Sequence, residues 1–191
     1  MDKPELYFPR DVEWREWLEI NHAQYPKGVY LILYKLETKV PTMRWEEAVR
    51  VALCYGWIDS TVKSLGGGKR RQYFCPRNPK STWSKLNKTY VEALDKEGLI
   101  HDSGWKMIEL AKSTGTWTAM DNVENGVIPP ELQKAFDLHP VAFENYLNFS
   151  RGYRKGYLSW LNGAKREETK AKRIAEIIRL CEANCKERNP R

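Results

Sequence analysis

The residues best suited to chemistry gather between Asp59 and Lys88. The run Arg77-Asn78-Pro79-Lys80-Ser81-Thr82-Trp83-Ser84 sets a guanidinium, an ammonium, hydroxyls and an indole just ahead of an expected helix. Such a set holds phosphate or carboxylate through charge, hydroxyl donors and the free amides of the helix start. Lys85 and Lys88 extend it into the helix, and Lys69, Arg70 and Arg71 precede it beside Gly66-Gly67-Gly68. That triplet lacks the first glycine of a phosphate-binding P-loop, and Arg70 stands where Ser or Thr would ligate magnesium, so it reads as a turn with basic residues at its tip. Asp59 follows Trp57-Ile58 at a helix-to-strand junction, where a carboxylate acts as a general base, caps amides or pairs with Arg77. Ser84 has no GxSxG or SxxK frame, and His22, His101 and His139 lie in separate segments, so a Ser-His hydrolase has no support and the catalytic residues, if any, stay unassigned. The histidines lack HxH or HxxxH spacing and Cys54, Cys75, Cys181 and Cys185 lack CxxC spacing; no metal and no cofactor is expected. Cys181 and Cys185, one helical turn apart, read as packing residues.

Charge singles out the same stretch. The chain of 191 residues has a net charge of +7. From Ser60 to Val91 there are eight basic residues and no Asp or Glu, while the rest of the chain holds 24 basic and 25 acidic residues. Ordinary surfaces mix both signs, so the segment is either an anion site or an unusually one-signed solvated face. Ala164–Arg191 is a weaker concentration whose charges alternate as on a solvated helix, and Arg151, Arg154 and Lys155 form a third around two glycines. Tyr73, Phe74, Trp83 and Tyr90 interleave the first segment, either as core or as platforms on which bases stack while lysines hold phosphates.

Positioning these groups requires a small sheet and several helices. Trp14, Trp17 and Leu18 follow Asp11 at helical spacing and predict a first amphipathic helix ending near Asn21. Val29–Lys35 is a β-branched and aromatic strand, Trp45, Ala48, Val49, Ala52 and Leu53 mark a second helix from about Arg44 to Tyr55 stopped by Gly56, and Ile58–Leu65 with Arg71–Cys75 form a hairpin. Ser81 or Thr82 is expected to cap a helix through Glu97, and Trp105, Ile108 and Ala111 mark another. Asp121–Val127 reads as a linker. Beyond it, helices are expected at about 130–138, 140–149, 153–161 and 168–185. The fold class is therefore α+β, predominantly helical, with a small antiparallel sheet in a part spanning 1–121 and an all-helical part spanning 127–191. Hydrophobic residues at 41% supply a core, and no apolar run approaches the roughly 20 residues of a membrane-spanning helix. The acids and proline in Met1–Glu5 are unlike a secretory leader, and the thiols fit a reducing compartment, so a cytoplasmic location is expected.

Ala48 through Asp59, then Phe74-Cys75-Pro76-Arg77 and Ser81 through Lys88, resemble the YdeI/OmpD-associated bacteriocin-protection family. Ile128-Pro129-Pro130-Glu131-Leu132, Tyr157-Leu158-Ser159-Trp160 and Ala164 through Ile174 extend the resemblance over nearly the whole chain. It implies a soluble bacterial-type protein, linked by the family's name to protection against bacteriocins or antimicrobial peptides. It also directs interest to Trp57, Asp59, Arg77, Trp83, Ser84, Lys165, Thr169 and Arg173 without assigning them roles. Where the family often has arginine after the threonine, this chain has Lys170, which cannot reproduce the guanidinium fork.

The leading expectation is a non-enzymatic stress-protection protein whose basic surface binds an anionic partner, a phosphate-bearing ligand or nucleic acid. Arg77, Lys85 and Lys88 stand at the centre of that surface and Lys69, Arg70 and Arg71 at its rim. The alternative is an enzyme with Asp59, Arg77, Trp83 and Ser84 in one cleft acting on an anionic small molecule. A protein partner on the C-terminal helices is a third reading, which needs an exposed apolar patch.

Overall fold

The computed structural model describes residues 3–188. Met1 and Asp2, used above to read the amino terminus, and residues 189–191, which include Arg191 of the basic tail, lie outside them. The chain forms two compact units, one running to Thr118 and the other from Ala119.

The first unit contains a four-stranded sheet in the order β1-β2-β4-β3, with β1 at Glu5–Leu6, β2 at Val29–Tyr34, β3 at Trp57–Gly66 and β4 at Lys69–Pro76. Its three long strands pair antiparallel, as expected. The two-residue β1 pairs in parallel with β2 and makes the sheet mixed. Among the described residues four α-helices belong to this unit: α1 (Asp11–Asn21), α2 (Trp45–Cys54), α3 (Lys85–Lys96) and α4 (Asp102–Ser113). Strand residues alternate between faces. Leu31, Leu33 and Phe74 therefore enter one core with Trp14 and Leu18 of α1, Ala48, Val49, Ala52 and Leu53 of α2, and Ile108 and Ala111 of α4. Gly104 lets α4 approach the end of α2: a Cβ there would stand 2.2 Å from the Cys54 carbonyl oxygen.

The β3–β4 hairpin closes on Gly67-Gly68, whose φ angles of 54° and 72° suit a two-residue turn that side chains disfavour. The tip is thus shorter than expected, and Lys69 and Arg70 are strand residues.

The second unit is wholly helical among the described residues: α5 (Asp121–Glu124), α6 (Pro130–Leu138), α7 (Pro140–Asn148), α8 (Arg151–Asn162) and α9 (Glu167–Glu182). The segment 121–127, expected as a linker, instead opens with α5, whose Val123 and Glu124 are buried. Its core joins Leu132, Phe136, Ala142 and Tyr146 to Tyr157, Leu158, Ile177, Ile178 and Cys181. Among the described residues no helix is long and apolar enough to cross a membrane.

Candidate functional site

The segment from Asp59 to Lys88 begins where α2 hands the chain to β3. Asp59 lies on the core side of the sheet, and its Oδ2 accepts from Trp45 Nε1 at 2.8 Å and from Gln72 Nε2 at 2.9 Å. It ties α2 to the hairpin. Trp57, two residues earlier, is buried and donates from Nε1 to the His22 carbonyl.

Arg77 follows directly on β4, with its amide bonded to the Gly56 carbonyl at 2.9 Å. Its side chain is 5% exposed, lies 3.8 Å over the Trp83 ring and donates from Nη2 to the Thr82 carbonyl at 2.5 Å. Nε and Nη1 are sealed from solvent with no hydrogen-bond partner among the described residues. Burial pushes the guanidinium pKa down to about 10, against the pull of Asp59. Trp83 is buried too, 4.9 Å from Trp117. A partner arriving at the surface meets neither residue.

The expected helix starts at Lys85, three residues after Thr82, because Trp83 is committed to the core. Ser84 is its N-cap, with Oγ accepting the Asn87 amide at 3.2 Å, a role that satisfies one of the free donors of the first turn. Lys85 and Lys88 follow on that turn; Lys88 lies 5.8 Å from the Trp117 ring, and neither lysine is unpaired.

Lys69, Arg70 and Arg71 stand at the other end of β4, which at about 3.3 Å per residue places Arg71 about 20 Å from Arg77 along the strand. Alternation also divides the three. Arg70 shares the core side with Gln72, while Lys69 and Arg71 share the outer face with Tyr73, with Tyr30, Ile32 and Tyr34 of β2, and with Lys63 of β3. On this outer face Tyr30 and Tyr73 are cross-strand partners with ring centroids 5.4 Å apart. Lys3 Nζ lies 3.9 Å from the Tyr73 ring and the Arg71 guanidinium 4.5 Å from Tyr30. Arg71 also pairs with Glu5 at 2.8 Å, and that contact holds its pKa above the ordinary value. Sequence reasoning missed Lys3 and Tyr30. Tyr30 was hidden in an apolar strand, and only the register of β2 against β4 reveals it as Tyr73's neighbour.

In the second unit Lys165 is exposed and Thr169 lies in the first turn of α9. Arg173 reaches back to α8, donating to the Trp160 carbonyl and lying 5.1 Å from its ring. Lys170 bridges two separate carboxylates, Glu167 at 3.1 Å and Glu131 at 3.4 Å, an arrangement that needs no guanidinium fork. Among the described residues no group of His, Cys, Asp and Glu is placed to hold a metal ion.

Fold and charge together define a predominantly helical α+β protein of two units, basic overall, with an aromatic and cationic sheet face in the first. Residues 6–107, more than half of the chain, match the family described as Domain of unknown function (DUF8412), and the chain belongs to that family. Residues 125–184 match the family described as Bacteriocin-protection, YdeI or OmpD-Associated. The late motifs thus carry the resemblance drawn from the sequence, while the motifs between Ala48 and Lys88 fall within the first match. No curated protein and no solved structure matches the chain.

Proposed function

We propose that the chain is a cytoplasmic, non-enzymatic protection protein of the bacteriocin-protection type, acting by holding an anionic partner on the outer face of its sheet. The observation that carries this reading is the Tyr30–Tyr73 pair with Lys3 and Arg71 lying on its rings and Lys63 and Lys69 on the same face. Single-stranded nucleic acid is the anion that suits it best. Unpaired bases stack on aromatic faces, and the cations now over those rings can turn to phosphates, giving up about 0.5–1 kcal/mol each at exposed sites. The acid-free stretch from Ser60 to Val91 supplies the positive field that draws such a strand in.

The side chains of the enzymatic alternative have structural work instead. Asp59 accepts two side-chain donors, Ser84 caps α3, and Arg77 and Trp83 are buried against each other.

The test is fluorescence anisotropy with labelled single-stranded RNA and duplex DNA across a salt series. Four phosphate contacts, from Lys3, Lys63, Lys69 and Arg71, predict a log–log salt slope of about −3 on a single strand. A Lys69→Ala, Arg71→Ala variant should bind more weakly and lower that slope by about 1.4. Absence of binding at low salt, or unchanged binding by the variant, defeats the reading; preference for the duplex defeats the stacking part. Restoration of bacteriocin tolerance to a sensitive bacterium by the wild type, but not by the variant, would tie binding to protection.

A further inference from the structure

The helical unit holds a separate cationic feature. α8 opens with Arg151-Gly152-Tyr153-Arg154-Lys155, and the side chain of the preceding Ser150 makes no capping bond. The first intrahelical bond runs from the Arg154 amide to the Ser150 carbonyl. The amides ahead of it are the free donors that make helix starts favourable for anions. Beside this turn lies a cavity of about 360 Å³ lined by Glu124, Tyr146, Arg151, Arg154 and Lys155 among others, within the size range of small-molecule sites.

Three of these side chains are cationic and one is acidic. Glu124, 7% exposed, receives Lys155 Nζ at 2.8 Å, and its backbone carbonyl receives Arg151 Nη2 at 3.1 Å. α5 thereby fixes Arg151 and Lys155 at the wall. The Arg154 side chain makes no hydrogen bond or ion pair among the described residues. Tyr146 is 1% exposed, and its hydroxyl makes no hydrogen bond among them either. Among the described residues only Arg77 has side-chain polar atoms both unpartnered and sealed from solvent, so the Tyr146 hydroxyl is not sealed, and Tyr146 lines this cavity. Burial holds its pKa up to about 12, so at neutral pH it is a donor. Buried polar groups in native proteins almost always find a partner.

We propose that this cavity binds a small phosphate monoester. Arg151, Arg154 and the open first turn of α8 hold the phosphoryl oxygens, Tyr146 Oη donates to one of them, and Lys155 stands at the wall on Glu124. Three cations against one carboxylate leave two positive charges, which match a dianionic phosphate and exceed what a carboxylate needs; the remaining volume takes a group of sugar size. The site lies wholly in the second unit and does not depend on nucleic-acid binding by the first.

Isothermal titration of the full-length protein with inorganic phosphate, ribose 5-phosphate and acetate at constant ionic strength tests it. Saturable binding of both phosphates, tighter for the ester and absent for acetate, is expected. Arg154→Gln should weaken it about tenfold or more, the loss of a charge-assisted contact. Tyr146→Phe has a double signature: it deletes an unpartnered hydroxyl, so the ligand-free protein should melt no lower than wild type, yet phosphate should bind less tightly. No heat from either phosphate overturns the proposal, as does binding by both variants equal to wild type. Should Arg154→Gln not fold, Tyr146→Phe decides alone.

Discussion

Replacing Arg77 with methionine should barely change the stability of the first unit, although the residue is 5% exposed. Its guanidinium pKa is lowered from the ordinary arginine value to about 10 by burial. The unfolded chain keeps that proton to a higher pH, so at neutral pH both states are charged and the folded state carries the full penalty, relieved only as pH rises above about 10. At roughly 1.36 kcal/mol per pH unit this is about 3 kcal/mol. Two contacts oppose it, the hydrogen bond to the Thr82 carbonyl and the face of Trp83, each worth about 2 kcal/mol for a desolvated cation. Methionine loses both but relieves the penalty and lays a thioether on the indole for about 1 kcal/mol. The balance falls within about 1 kcal/mol of zero. Arg77→Ala, which also leaves a cavity beneath Trp83, should instead cost about 3 kcal/mol. Urea unfolding followed by tryptophan fluorescence measures both variants, since seven of the eight tryptophans precede Thr118. A loss above about 3 kcal/mol in Arg77→Met would refute the reasoning. It would mean that Nε and Nη1 have a partner in solution, and that the buried guanidinium is a ligand site.

Three further outcomes are expected. Gly104→Ala, which helix propensity alone would favour, should instead lower stability by about 1–3 kcal/mol because its Cβ meets backbone at Cys54; a raised melting temperature would show that α4 can withdraw from α2. Ser84→Ala should cost about 1 kcal/mol in urea unfolding by removing the cap of α3, while leaving nucleic-acid binding as it was. Ellman's reagent at pH 8 should modify Cys75 and Cys185 in the native protein and all four thiols only after denaturation. Cys54 and Cys181 are buried out of the reagent's reach, whereas Cys75 and Cys185 are partly exposed, and burial also pushes the Cys181 thiol up to about 12; rapid native labelling of Cys54 or Cys181 would contradict the packing.

Much of the fold was legible because the elements carry their own periodicity. Trp14 and Leu18, Ala48 and Ala52, and Ile174 through Cys181 repeat at helical spacing, and the apolar run from Val29 has only a strand's length. What escaped depends on distant partners. Glu5–Leu6 is too short to alternate and is placed by the bond from the Tyr30 amide to the Pro4 carbonyl. Ser81, Thr82 and Ser84 can all cap a helix; the burial of Trp83 against Trp117 and Arg77 leaves the task to Ser84. The polar stretch at Asp121 passes for a linker until Lys155 supplies the counter-charge that lets Glu124 be buried.

The candidate site was harder to read than the fold, because counting charges along a chain does not assign them to surfaces. Lys69, Arg70 and Arg71 look like one cluster, yet a strand sends the middle one to the opposite face. Arg77 counts toward the same excess and is removed from the surface by its stack on Trp83. Of the eight basic residues between Ser60 and Val91, Lys63, Lys69 and Arg71 stand on the outer face, Arg70 and Arg77 leave it for reasons local to β4 and its exit, and Lys80, Lys85 and Lys88 lie beyond the sheet. Lys3, which stands outside the segment, joins that face through the rings of Tyr30 and Tyr73. The same reasoning gives weight to Arg151, Arg154 and Lys155. They are fewer and were the least conspicuous of the three concentrations, but a helix start gathers them on one turn beside a cavity, and gathering is what a binding site requires of charge.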